Sequence, residues 1–211
     1  MSNRDYKHFG PDTFYHVYNR GTAKHKIFLD KNDHALFLRR LREFLYPEEV
    51  DRIALTKQRL YVRTSLPSDS FNLVCYCLMP NHFHFLLRQN TALSISKLIG
   101  NLCTSYSKVF NKKYGRVGTL FQDQFKAVPI TSNEQLLWVS AYIHRNPLKA
   151  GLVSKLEKYA YNSYPDFVGL RNGTLCKKDI VMEQCNNSFA FYQKYIMNFN
   201  EEAYEDLMLD D

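Results

Sequence analysis

Hydrophobic and polar positions follow two rhythms along this chain. F-Y-H-V-Y-N-R-G (14–21) alternates with a period of two and ends in Gly21, which predicts a strand running into a turn. From Asn32 the period lengthens. Leu36, Phe37, Leu41, Phe44 and Leu45 fall on one face of a helix, with Arg39, Arg40 and Arg42 largely off it. Residues 48–70 fit a short helix and then a strand over R-I-A-L-T-K-Q-R-L-Y-V-R, followed by a P-S-D-S loop. F-N-L-V-C-Y-C-L-M-P-N-H-F-H-F-L-L-R (71–88) holds two β-type runs parted by Pro80-Asn81, a turn dipeptide, so a buried hairpin is expected. Ser94 to about Tyr114 reads as a long helix with Leu98, Ile99, Leu102, Tyr106, Val109 and Phe110 as its apolar stripe. A G-R-V-G-T-L loop and a strand over 125–130 follow. Ser132 or Asn133 then caps a helix, E-Q-L-L-W-V-S-A-Y-I-H-R-N, which Pro147 and Gly151 close. An aromatic loop (Tyr159, Tyr161, Tyr164, Phe167) and a helix near 186–198 complete the chain. Strands and helices alternating around one sheet, some linked as hairpins, predict an α+β, ferredoxin-like arrangement with helices packed on a central antiparallel sheet.

Composition adds limits. A length of 211 residues suits one domain with or without an appendage, and 45% apolar with 15% aromatic residues excludes a disordered chain. No run reaches the ~20 apolar residues of a membrane span, so no membrane association is expected. The polar start M-S-N-R-D-Y-K-H-F-G-P-D lacks the apolar core of a secretory leader, and five cysteines without zinc-type spacing read as reduced thiols. Both point to a cytoplasmic protein.

Charge changes the picture more. The net charge is +7, yet no Lys or Arg follows Lys194, while Glu201, Glu202, Glu205, Asp206, Asp210 and Asp211 do. Setting those six aside raises the balance to +13. Such a surplus on one domain suits a polyanionic partner, nucleic acid first, although solubility alone also accounts for surface charge. The acidic end reads either as solvated or as lying over a basic surface when nucleic acid is absent.

The candidate chemistry lies in C-L-M-P-N-H-F-H-F-L-L-R (77–88). If 82–88 is a strand, His82 and His84 share a face, and two adjacent imidazoles are a ready pair of ligands for a divalent metal; they are equally compatible with ordinary hydrogen-bonded histidines. No nearby carboxylate is evident as a third ligand. On the helix ending at Asn146, Tyr142 and Asn146 are one turn apart, so the Asn146 amide oxygen can complete a His/His/oxygen site suited to Mg²⁺ or Mn²⁺. Tyr142 would then stand beside the metal as a nucleophile for a phosphodiester.

M-P-N-H-F-H-F-L-L together with A-Y-I-H-R-N-P-L-K-A-G-L-V resembles the single-tyrosine HUH transposases, and more closely their branch associated with repetitive extragenic palindromes (REP). His82-Phe83-His84 is similar to the family's histidine–hydrophobic–histidine motif, and Tyr142-Ile143-His144-Arg145-Asn146-Pro147 to its tyrosine signature. G-R-V-G-T-L-F-Q-D-Q-F (115–125), Y-N-S-Y (161–164, with Asn162 where the family has serine) and F-Y-H-V-Y-N-R-G extend the likeness in order from about 12 to 168. The resemblance implies a domain over 1–168 with a C-terminal helical extension, 169–211. It implies that a metal held by His82, His84 and Asn146 polarises the scissile phosphate of single-stranded DNA while Tyr142 forms a 5′-phosphotyrosine link. It also implies hairpin DNA as partner. Arg20, Lys24 and Lys26, Arg39, Arg40 and Arg42, and Lys108, Lys112, Lys113 and Arg116 are then candidate phosphate contacts, and Tyr15, Tyr18 and Phe121 candidate stacking platforms. Both homodimer and monomer are compatible with it. Tyr106 and Tyr114 are rival nucleophiles, ranked lower because neither has a ligand-capable residue one turn on. Two other readings stay open: a non-cleaving DNA- or RNA-hairpin-binding regulator, and another metal-dependent hydrolase, which would need a carboxylate or a third histidine.

Overall fold

A computed structural model describes residues 9–49 and 66–200. Strand β1 (Thr13–Arg20) leads to helix α1 (Lys31–Leu45), then to the hairpin β2 (Phe71–Met79) and β3 (His82–Gln89), helix α2 (Ile95–Tyr114), strand β4 (Lys126–Ile130) and helix α3 (Asn133–Lys149). Short helices α4 (Tyr164–Phe167) and α5 (Asp179–Met182) and a final helix α6 (Phe189–Met197) follow. The sheet order is β2-β3-β1-β4 with every neighbouring pair antiparallel. This is the ferredoxin-like order the alternation predicts. R-I-A-L-T-K-Q-R-L-Y-V-R and the acidic end lie outside the described residues.

Local chemistry sets the boundaries. Asp30 caps α1, its carboxylate accepting from the Asn32 and Asp33 amides while the Asp33 carboxylate accepts from the Asp30 amide. Ser132 caps α3 by accepting from the Gln135 amide. The sequence ends this helix at Asn146, closed off by Pro147 and Gly151, but it runs three residues further, to Lys149. A proline this close to the end removes one hydrogen bond, and the Ala150 and Leu152 amides still find the Asn146 and Pro147 carbonyls. Gly21 ends β1 where a Cβ would collide with the His25 carbonyl oxygen, and its amide donates to the Asn81 carbonyl. The end of β1 is thereby tied to the β2–β3 turn.

The period of two assigns alternate residues to opposite faces. Val17, Phe83, Phe85 and Leu87 meet α1 and α2 in one core. Cys75, Cys77 and Leu86 meet α3, α5 and α6 in another. Beyond β2, the chain after α3 returns along its outer edge. The Leu78 and Ser163 amides donate to Tyr161 and Tyr76 carbonyls, and Lys177 to Leu73, so that edge is covered.

Candidate active site

Strand register brings the predicted chemistry together. Tyr18 pairs with His84 and Arg20 with His82 across β1–β3, and Cys77 and Met79 of β2 pair with the same two histidines. These residues share the α3 face. Tyr142 and Asn146 of α3 join them in a cleft of about 390 Å³, which Gln122, Asp123, Gln124, Lys126 and Lys149 also line. Tyr142, His82, His84, Asn146 and Arg20 therefore meet at one place.

Both histidines are oriented by their neighbours. His82 Nδ1 lies 2.6 Å from Asn81 Oδ1, and His84 Nδ1 lies 2.9 Å from His16 Nε2. Engaging Nδ1 turns each Nε2 to the opposite side of its ring, the arrangement expected of imidazoles that bind a cation. The Asn146 amide donates from Nδ2 to the Tyr142 carbonyl at 2.9 Å, which points Oδ1 away from its own helix. Two imidazoles and an amide oxygen fit a divalent cation that completes its coordination with water and substrate oxygens. Among the described residues no three His, Cys, Asp or Glu side chains cluster as a metal site, so the third protein ligand of the predicted set is the Asn146 oxygen and not a carboxylate or thiolate. Burial holds His16 down at about 3 and pushes His84 well below the ordinary histidine range, with His16, His82 and Arg20 adding to the effect on His84. Both rings are therefore neutral near pH 7.

Tyr142 is half-buried. Its ring stacks on Trp138 (5.5 Å between centroids, planes within 10°) and meets His84 edge-on at 5.9 Å. The Lys149 ammonium lies 6.0 Å from its centroid. The rival tyrosines are elsewhere. Tyr106 is buried in the opposite core and donates to the Ile27 carbonyl, and burial raises its phenol far above the usual range. Tyr114 donates to Asp33.

The other predicted residues scatter. Lys24 is not among the residues that line the cleft; its carbonyl accepts from Asn81 Nδ2. Arg39 and Arg40 lie on α1, behind the sheet; Arg39 is exposed and Arg40 pairs with Glu43 at 2.7 Å. Lys112, Lys113 and Arg116 gather at the end of α2, where Lys113 bridges Asp30 and Asp33 and Arg116 sits over Phe110. Tyr15 and Phe121 are not stacking platforms: both are buried in the α1/α2 core, and of the three only Tyr18 reaches the cleft. A carboxylate is present after all, since the loop before β4 folds back and brings Asp123 to the cleft wall. His144, the one histidine of α3, is buried between the Tyr192 hydroxyl and Ser163 Oγ at 2.8 Å each and cannot serve as a third ligand. Asn162 performs a structural task in its segment, donating to the His144 carbonyl and accepting from the Tyr164 amide.

His16, Asn81, Trp138 and Asp123 were not singled out from sequence. His16 alone carried a signal: it shares the parity of Tyr18 in an alternating strand.

The C-terminal segment braces α3 from outside. Arg145 donates to the Ile196 carbonyl at 2.6 Å, Trp138 Nε1 to the Asn200 carbonyl at 3.1 Å, and Tyr192 meets both Ser140 and His144. The helix that carries Tyr142 is thus held on its far side, and Trp138 transmits that contact to the Tyr142 ring.

A search of curated proteins finds no match. A solved structure of a REP-associated tyrosine transposase bound to a REP hairpin is 15% identical, aligns over 81% of this chain and 88% of its own, and superposes with a TM-score of 0.54. That likeness shows the fold. A putative transposase from Deinococcus radiodurans R1 is 14% identical over 67% of this chain and 96% of its own, with a TM-score of 0.39. The family model described as "Transposase IS200 like" matches residues 15–146, which take in β1 from Tyr15 on, both cleft histidines, Tyr142 and Asn146. The chain belongs to the IS200-like transposase family.

Proposed function

We propose that this chain cleaves and rejoins single-stranded DNA at hairpin-forming sequences, with Tyr142 as nucleophile. The observation that carries the reading is the convergence of Tyr142, Asn146 and two oriented histidines on one cleft. The relative of similar fold whose structure holds a REP hairpin supports the choice of DNA. His82, His84 and Asn146 would hold Mg²⁺ or Mn²⁺, which supplies Lewis-acid polarisation of the scissile phosphate.

The chain's own residues do the rest. The Lys149 ammonium, 6.0 Å from the Tyr142 ring centroid, is placed to attract the phosphate that Tyr142 attacks. Trp138 fixes the plane of the ring, so Oη approaches phosphorus from one side. The Oη–P bond forms as the P–O3′ bond breaks. The 5′-phosphate is left on Tyr142, and the proton that the phenol gives up ends on the departing 3′-oxygen. A 3′-hydroxyl of another strand reverses these changes, so rejoining needs no external energy.

The test is a nicking assay on hairpin-bearing single-stranded DNA with Mg²⁺ or Mn²⁺. Wild type is expected to give a covalent protein–DNA adduct that vanishes in Tyr142→Phe while hairpin binding persists. Tyr106→Phe is expected to keep the adduct. An adduct that survives in Tyr142→Phe and is lost in Tyr106→Phe would overturn the assignment.

A further inference from the structure

His16 is buried beside His84, with ring planes within 15° and the Nε2–Nδ1 contact of 2.9 Å between them. Two neutral imidazoles joined in this way share a single proton at the contact, and it has two possible seats. When His84 Nδ1 carries it and donates to His16, His84 Nε2 is a lone pair facing away from His16. When His16 Nε2 carries it and donates to His84, His84 Nε2 bears a hydrogen instead. The second ring atom of His16 distinguishes the two. His16 Nδ1 is buried with no hydrogen-bond partner among the described residues. In the first arrangement this atom must hold an unpaired N–H; in the second it holds only an unpaired lone pair. A buried N–H without an acceptor is the more costly of the two. The protein alone therefore favours the second arrangement, and a cation at His84 Nε2 selects the first.

We propose that His16 is a positioning residue that sets the tautomer of His84, so that the cleft presents an N–H donor when it holds no cation and a cation-binding lone pair when it does. The inference rests on the reading that the cleft takes a divalent cation. The donor state has a use of its own: it can hold a phosphate oxygen before the cation arrives. Asn81 acts differently on His82. An amide oxygen only accepts, so His82 keeps its proton on Nδ1 and its lone pair on Nε2 throughout. One histidine of the pair is fixed and the other is switchable.

The experiment uses the full chain labelled with ¹⁵N-histidine. Long-range ¹H–¹⁵N spectra read the His84 tautomer with and without Mg²⁺, and Mn²⁺ affinity is measured by electron paramagnetic resonance. Wild type is expected to carry its proton on Nε2 without cation and on Nδ1 with it. His16→Leu is expected to lose the hydrogen-bond signature of His84 Nδ1 and to bind Mn²⁺ about 10- to 100-fold more weakly. His16→Gln, whose amide reaches His84 and can accept or donate, should retain affinity within a few-fold. His16→Asn, polar but too short for the contact, should repeat the leucine loss and serves if the leucine variant does not fold. A His84 tautomer that does not respond to Mg²⁺, or an Mn²⁺ affinity unchanged by both leucine and asparagine, would overturn the proposal. Failure of the metal reading looks different: Mn²⁺ binding would then be absent in wild type and unaltered by His82→Ala. The metal-free spectra of wild type and the His16 variants would still decide whether His16 sets the tautomer.

Discussion

The two faces of this sheet are built from alternate residues of the same strands and serve opposite ends. On the α1/α2 side Val17, Phe83, Phe85 and Leu87 are completely buried, and aromatic rings interlock from Phe37 through Phe83 to Phe121. On the α3 side β2 and Leu86 of β3 are equally apolar, with Cys75 and Cys77. Beside them β1 and the start of β3 carry His16, Tyr18, Arg20, His82 and His84 instead. The apolar face and the apolar half of the other supply the burial that makes the fold stable. The remaining quarter of the sheet is left to hold polar groups in fixed positions, where a slip of one residue in register would send both histidines into the wrong core.

Phe83 and His82 are neighbours in sequence on opposite faces, and the largest expected effect separates them. Phe83→Ala removes a fully buried ring and is expected to cost about 3–5 kcal/mol of stability, measured by urea unfolding. His82→Ala, half-exposed at the cleft, should cost below about 1 kcal/mol and yet abolish metal-dependent nicking. If His82→Ala destabilised as much as Phe83→Ala, the polar part of the α3 face would be part of the core after all.

A smaller effect tests the far side of α3. Burial holds His144 down at about 3, against 6.5 for the free side chain. Its folded pKa is depressed, so between pH 6.5 and about 3 the unfolded chain takes up a proton that the folded chain refuses. Stability is full above pH 6.5 and declines as pH falls, by up to about 1.4 kcal/mol per pH unit for this one group. Urea midpoints between pH 7 and 4.5 are expected to fall less steeply in His144→Gln than in wild type. Parallel profiles would mean that the Tyr192–His144–Ser163 contacts do not exclude the charged form.

These contrasts also show what the sequence could carry. The four residues of the candidate site were readable because local periodicity places each pair: a period of two sets His82 beside His84, and one helical turn sets Tyr142 beside Asn146. That the two pairs meet is a tertiary fact, signalled in the sequence only by resemblance to a family. The strand order followed from the alternation of elements and hairpin links. Residues whose roles depend on a distant partner were missed. His16 looks like any polar residue in an alternating strand until His84, 68 residues on, lies against it. Asp123 enters the cleft through an irregular loop with no period to read. The mistaken stacking residues show the reverse. Tyr15 is one position out of phase with Tyr18, and its parity with Val17 already assigned it to the closed face.

Charge gives the smallest effect and the sharpest separation of the faces. A count of basic residues treats Arg40 and Lys113 like Lys126 and Lys149, but the structure does not. Arg40 is held by Glu43, and Lys113 by Asp30 and Asp33, all on the α1/α2 side. Lys126 and Lys149 line the cleft and are exposed. A phosphate that must displace a carboxylate from Arg40 or Lys113 gains little and lies away from the cleft, whereas Lys126 and Lys149 stand where DNA entering the cleft would bring its phosphates. Lys126→Ala and Lys149→Ala are therefore each expected to lower the slope of log affinity against log salt by about 0.7 for single-stranded DNA. Arg40→Ala and Lys113→Ala should leave that slope unchanged. Titrations of a fluorescent hairpin oligonucleotide at several salt concentrations measure it. Should Arg40→Ala reduce the slope as much as Lys126→Ala, the DNA would have to cross the α1 face, and the division of labour between the two faces would fail where it matters most.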